Sequence, residues 1–185
     1  MTAREEVRPR PLTGEPVAVD LLNTRWVDGG ESFDLLDSTD GLRQWLDEAG
    51  LAERFTADPE TLAHLLDVRD TLDRLFRDPR DPAATAELNA ALAHGSVRRL
   101  LRDAAPDSTV EFDQSARGPA WLAAANLLDL FERPDRLRGC ANPECVLHFF
   151  DTSKNGTRRW CSMAGCGNRA KAARHHARER AGRTA

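Results

Sequence analysis

Apolar positions along the first two thirds of the chain follow two spacings. An unbroken run, VAVDLL over Val17–Leu22, stops at Asn23-Thr24 and predicts a strand and a turn. From Ser38-Thr39-Asp40, whose oxygens can cap a helix, Leu42, Trp45, Leu46 and Ala49 recur on one helical face, and Gly50 supplies a stop. Asp58-Pro59 opens a second helix, with Leu62, Leu65, Leu66, Leu72, Leu75 and Phe76 at helical spacing. Asp81-Pro82 opens a third, running through Leu88 and Leu92 to Gly95. Two strands are predicted at 97–101 and 109–113, where Val110 and Phe112 alternate with polar neighbours. Residues 115–132 predict the longest helix, ended by Arg133-Pro134. Trp45, Phe112 and Trp121 are assigned to the core. The fold class is therefore α+β: a mostly helical N-terminal domain with a small sheet over residues 1–136, followed by a different, smaller domain over 137–185.

The second domain holds all four cysteines, spaced C-x4-C-x15-C-x4-C. Two close pairs separated by about 15 residues suit a structural zinc site, each pair giving two thiolates from one turn. We assign Cys140, Cys145, Cys161 and Cys166 as ligands of one structural Zn2+. Asn142-Pro143 supplies a turn within the first pair. Residues 146–150 and 157–160, joined through Asn155-Gly156, are expected to form a hairpin. The second pair leads into a helix free of breakers, with Cys166 near its N-terminus, where the dipole favours a thiolate. This ribbon-then-helix order is treble-clef-like. With four cysteines available, His148, His175 and His176 read as plain polar residues.

These residues also carry a resemblance. Cys166-Gly167-Asn168-Arg169 spells CGNR, and Arg158-Arg159-Trp160-Cys161-Ser162 and the F-x-D-x-S of Phe149 to Ser153 precede it. The stretch from Leu137 to Arg180 resembles the CGNR zinc-finger family. The front of the chain resembles the ABATE domain that accompanies this finger, through Asp20-Leu21-Leu22-Asn23-Thr24 and the helix at 42–51. The resemblance implies a bacterial, stress-linked transcription regulator with a DNA-binding finger.

Charge sharpens the division. Residues 1–137 hold 16 basic and 27 acidic side chains, whereas 138–185 hold 10 basic and 3 acidic, a net of −11 against +7. Four thiolates on Zn2+ leave the site at −2, so the finger's effective charge is about +5. An acidic body with a basic tail suggests an anionic partner. On the last helix Lys171, Arg174 and Arg178 share one face, next to a stripe of alanines. With Arg158 and Arg159 they are the candidate DNA contacts, the alternative being neutralisation of the zinc cluster. Asn168 and Arg169 are placed beside the ligands, with Arg169 donating to a sulfur or a carbonyl. Asn23, Thr24 and Arg25 are a candidate ligand pocket for a small-molecule effector.

The chain offers no phosphate loop, no G-x-S-x-G and no supported pair of catalytic carboxylates, so no enzyme is expected. No run is apolar enough to span a membrane, and the charged N-terminus lacks a signal-peptide core. A cytoplasmic location with reduced thiols is expected. A homodimer presenting two fingers should bind DNA better than a monomer. The competing reading is a protein-interaction module in which zinc only shapes a docking surface. The body and finger are expected to fold as separable units.

Overall fold

The computed structural model describes residues 9–173. Its elements in chain order are α1 (Val17–Leu22), β1 (Arg25–Asp28), β2 (Glu31–Asp34), α2 (Thr39–Glu48), α3 (Pro59–Arg77), α4 (Pro82–Leu92), β3 (Gly95–Arg102), β4 (Ala105–Phe112), α5 (Gly118–Phe131), β5 (Leu137–Gly139) and β6 (His148–Phe150). Residues 168–173 begin a further helix. The strands form three two-stranded antiparallel sheets. The architecture is α+β, with the cysteine cluster after the helical part.

The predicted caps are present. Ser38 Oγ accepts from Gly41 N at 3.2 Å, Asp58 Oδ1 from Thr61 N at 2.8 Å, and Asp81 Oδ1 from Ala83 N and Ala84 N. Each satisfies donors that the first helical turn leaves unpaired. Leu42, Trp45 and Leu46 of α2, Leu65, Val68, Leu72 and Leu75 of α3, and Ala120, Ala123, Ala124, Leu127 and Leu130 of α5 fill the core. Gly118 lets α5 start against the Phe55 ring, since a Cβ there would lie 2.1 Å from a ring carbon.

Three expectations fail. Val17–Leu22 is a helix, not a strand. Five of its six residues are buried, so no solvent face exists to reveal a period, and an apolar run of that length fits either element. Its start is fixed: Ala18 N donates to Asn126 Oδ1 on α5, and Asp20 N closes the first turn on Pro16 O. The longest helix is α3, with 19 residues, whereas α5 has 14 because residues 115–117 form a separate tight turn before it. Finally, β6 does not pair with residues 157–160. It pairs with β5, in the register Leu137↔Phe150, Arg138↔Phe149, Gly139↔His148. Asp151 diverts the chain: its carboxylate accepts from Ser153 N and Arg158 N at 2.9 Å each, giving the backbone a loop in place of a ladder.

One hairpin was not anticipated. β1 and β2 join through Gly29-Gly30, both with positive φ, as a tight hairpin turn needs. The expected strands near 97–101 and 109–113 are a longer hairpin, β3–β4, turning at Asp103-Ala104 with φ of 51° and 63°. This hairpin is largely exposed, Val97 and Leu101 included.

Body and finger share one core. Leu147, Phe149, Phe150, Cys161 and Cys166 belong to the same buried cluster as Leu21, Leu36, Trp45 and Leu72. Asn23 at the end of α1 treats β6 as a neighbouring strand would: its Nδ2 donates to His148 O at 2.9 Å and its Oδ1 accepts from His148 N at 2.8 Å. Glu15 accepts from Phe150 N at 3.0 Å and from Arg158 Nη2 at 2.9 Å. The His148 ring lies on Phe76 of α3, 3.9 Å between centroids. The division at residue 136 is thus a boundary in sequence that the core crosses.

Candidate metal centre

Four short segments bring the sulfurs together. Cys140 follows β5 and donates its N–H to Leu147 O, so the first pair sits in the loop of the β5–β6 hairpin. Cys145 N closes the turn on Asn142 O at 2.9 Å. Cys161 leaves the Asp151 loop with its N–H 3.5 Å from Cys140 Sγ. Cys166 lies in a wide helical turn, Met163–Gly167, whose start is capped by Ser162 Oγ accepting from Gly165 N at 2.9 Å. Residues 168–173 continue as helix, which places Cys166 at a helix start as expected.

All four Sγ atoms lie within 4.8 Å of one another, and no pair is a disulfide. A regular tetrahedron with Zn–S bonds of about 2.3 Å has S···S edges of roughly 3.8 Å. The Cys145–Cys161 separation is 3.8 Å. Proton affinities point the same way. Contact with Cys161 holds Cys145 down at about 5, while the same contact pushes Cys161 up. Burial pushes Cys140 up as well. Four thiols this close cannot all ionise without a positive centre between them. The donor set, distances and closed coordination fit one structural Zn2+.

Donors around the sulfurs offset part of the resulting charge. Arg169 Nη2 lies 3.4 Å from Cys166 Sγ, as expected, and this contact raises the Arg169 pKa. Asn142 Nδ2 also lies 3.4 Å from Cys166 Sγ. Sequence reasoning saw only a turn at Asn142-Pro143. The clue was an amide inside the first pair, where a thiolate needs a donor. Asn168 is exposed and donates to Ala164 O at 3.3 Å, bracing the turn that carries Cys166.

A family model for ABATE, described as "Putative stress-induced transcription regulator", matches residues 15–134, and a model for the CGNR zinc finger matches residues 136–179. The chain belongs to the ABATE family. No curated protein matches it.

The remaining candidate residues divide between the ABATE part and the finger. Arg158 faces inward: it donates to Glu15 of the ABATE part and to Trp160 O and Cys161 O, and its guanidinium covers the Phe149 ring at 4.3 Å. Arg159 is exposed beside Trp160, 5.3 Å from the ring centroid, and Lys171 is exposed. Arg174 and Arg178 lie outside the described residues, as do His175 and His176. Within the ABATE part, Asn23 and Thr24 are buried and structurally engaged. Asn23 clamps β6, and Thr24 Oγ1 donates to Leu21 O and accepts from Arg69 Nη1. Arg25 lines a cleft with Asp34 and Arg69. Although burial opposes its ionisation, hydrogen bonds and charge from Arg69 hold Asp34 below the usual carboxylate range. No helix among the described residues is long and apolar enough to cross a membrane.

Proposed function

We propose that the protein is a transcription regulator that binds DNA through its zinc finger, with the ABATE part as the sensing or partner-binding body. The observation that carries this reading is the segregation of charge, net −11 over residues 1–137 and +7 over 138–185, the latter on a finger that gathers four cysteines. Arg159 and Lys171 are exposed on that finger, and Arg174 and Arg178 extend the same basic segment. Arg158 is better assigned to holding the finger on the body than to DNA, because its donors already serve Glu15 and two carbonyls. The stress link rests on the family description alone. A cytoplasmic setting suits four reduced cysteines, and a homodimer would offset the body's repulsion of DNA by presenting two fingers. The closed set of four ligands leaves no position for a substrate on zinc, which favours a regulator over an enzyme.

Titrating the zinc-loaded full chain against DNA at several salt concentrations tests the reading. Phosphate contacts should make log K fall linearly with log salt. Replacing Lys171, Arg174 and Arg178 by Ala should reduce the slope by about 0.9 for each phosphate that is no longer neutralised. Weak binding that the triple replacement leaves unchanged would turn the assignment toward a docking module whose basic residues serve the zinc cluster.

A further inference from the structure

The four sulfurs are unequally protected. Cys161 and Cys166 are 4% and 1% exposed, whereas Cys140 and Cys145 are half-buried. Val146, next to Cys145, is 49% exposed, so the approach on that side is open. Hydrogen-bond donors are just as uneven. Cys166 Sγ faces Asn142 Nδ2 and Arg169 Nη2, each at 3.4 Å, and Cys140 Sγ faces Cys161 N at 3.5 Å. Among the described residues no side-chain nitrogen serves Cys145, whose sulfur lies 3.8 Å from Cys161 Sγ. That contact joins the β5–β6 loop to the segment beyond the Asp151 loop. Both partners are tied to the ABATE part. The Cys161 carbonyl accepts from Arg158 Nη2 at 2.6 Å, and the same nitrogen donates to Glu15 at 2.9 Å. Cys145 stands three residues before His148, which Asn23 clamps.

Oxidation of a thiolate follows its exposure and its electron density, and N–H donors draw density away. We infer that the cysteine centre is a switch for peroxide-class oxidants, with Cys145 as the sulfur attacked first and Cys161 as the one that resolves it. The Cys145 thiolate attacks one oxygen of hydrogen peroxide, the O–O bond breaks and hydroxide leaves, giving a sulfenic acid. The Cys161 thiolate then attacks the Cys145 sulfur, the S–S bond forms and the sulfenic oxygen leaves as a second hydroxide. Two thiolates, one hydrogen peroxide and two protons thus become one disulfide and two water molecules. Cys140 and Cys166 alone do not complete a tetrahedral set, so the metal is lost, and the ligation that folds the finger goes with it. Resting on the regulator reading above, the switch turns DNA binding off. Cys161 would carry the change to Arg158 and Glu15, and Cys145 would carry it to β6, so both ties between finger and body loosen together.

The test treats the zinc-loaded full chain with rising hydrogen peroxide while a coloured chelator reports free zinc. Peptide mass spectrometry locates the first disulfide, with cleavage at Glu144 to separate Cys140 from Cys145. One zinc should appear for each Cys145–Cys161 disulfide, and dithiothreitol with added zinc should restore all four thiols. Independently, limiting N-ethylmaleimide on the loaded chain should label Cys145 before the other three. Thiols and zinc left untouched by peroxide, zinc retained after disulfide formation, a first disulfide between any other two cysteines, or first labelling elsewhere would overturn the proposal. The DNA titration is then repeated on the oxidised chain, whose affinity should fall about tenfold or more and return on reduction with zinc. Unchanged affinity overturns the control of DNA binding. A reduced, zinc-loaded chain that binds no DNA overturns the regulator reading and leaves the oxidation chemistry standing.

Discussion

Asn23 and His148 show how much rests on single side chains. The Asn23 amide donates to His148 O and accepts from His148 N through the same side chain. Asn23→Asp keeps the size but sets a carboxylate against a carbonyl. We expect a loss of roughly 2–3 kcal/mol, read as a lower urea midpoint, because a buried acceptor is left unpaired. His148 makes stability depend on pH. Burial holds it at about 4, below its ordinary 6.5. The unfolded chain therefore takes up the proton first, and stability falls as pH drops from about 6.5 toward 4, by up to about 3 kcal/mol. Zinc also leaves as thiolates protonate, so the wild-type curve alone is not diagnostic. The difference between wild type and His148→Gln should carry the His148 share, and a pH-independent difference would contradict it.

At the level of elements, what could be read in the sequence was what local chemistry decides. Asp58-Pro59 and Asp81-Pro82 start helices because capping and a preset φ act within one turn. Asp58→Ala should cost about 1 kcal/mol in thermal or urea unfolding, the usual worth of such a cap. The four cysteines were legible because tetrahedral thiolate binding imposes its own spacing. Tertiary choices were not. α1 is helical because α5 and Asn126 meet it, and no periodicity over six residues, five of them buried, reveals that. β6 chose β5 over residues 157–160 because Asp151 took the backbone N–H groups that a ladder would have used. The candidate pocket at 23–25 rests on three residues adjacent in sequence. The structure points them different ways, and only Arg25 lines the cleft. Zinc should decide the fate of β5 and β6. Chelation, or Cys161→Ser, should remove the metal as measured by elemental analysis and unfold the finger, since ligation and folding are one equilibrium there.

For the whole molecule, the shared core changes what truncation does. The finger delivers Leu147, Phe149 and Phe150 into the same cluster as α1 and α3. A chain ending at Arg136 should expose that surface, lose several kcal/mol and lose a sharp melting transition. A truncated body that melts as sharply as the intact protein would restore the picture of two independent units. The clamp at β6 has a further consequence, for insertions. Asn23 and Glu15 address main-chain atoms of residues 148 and 150, so the identity of those side chains matters less to them than the count of residues before them. One extra residue between Cys145 and His148 would turn every side chain of β6 to its other face, taking Phe149 out of the core. An extra residue at Asn155-Gly156, in the turn past Asp151, breaks bonds local to that loop, Gly156 N on Ser153 O and Thr157 N on Ser153 Oγ, and leaves β6 in register. Scanning single-residue insertions along 140–160 should therefore show the strongest intolerance over 146–150 and a smaller loss in the loop at 152–157, where only local bonds are broken.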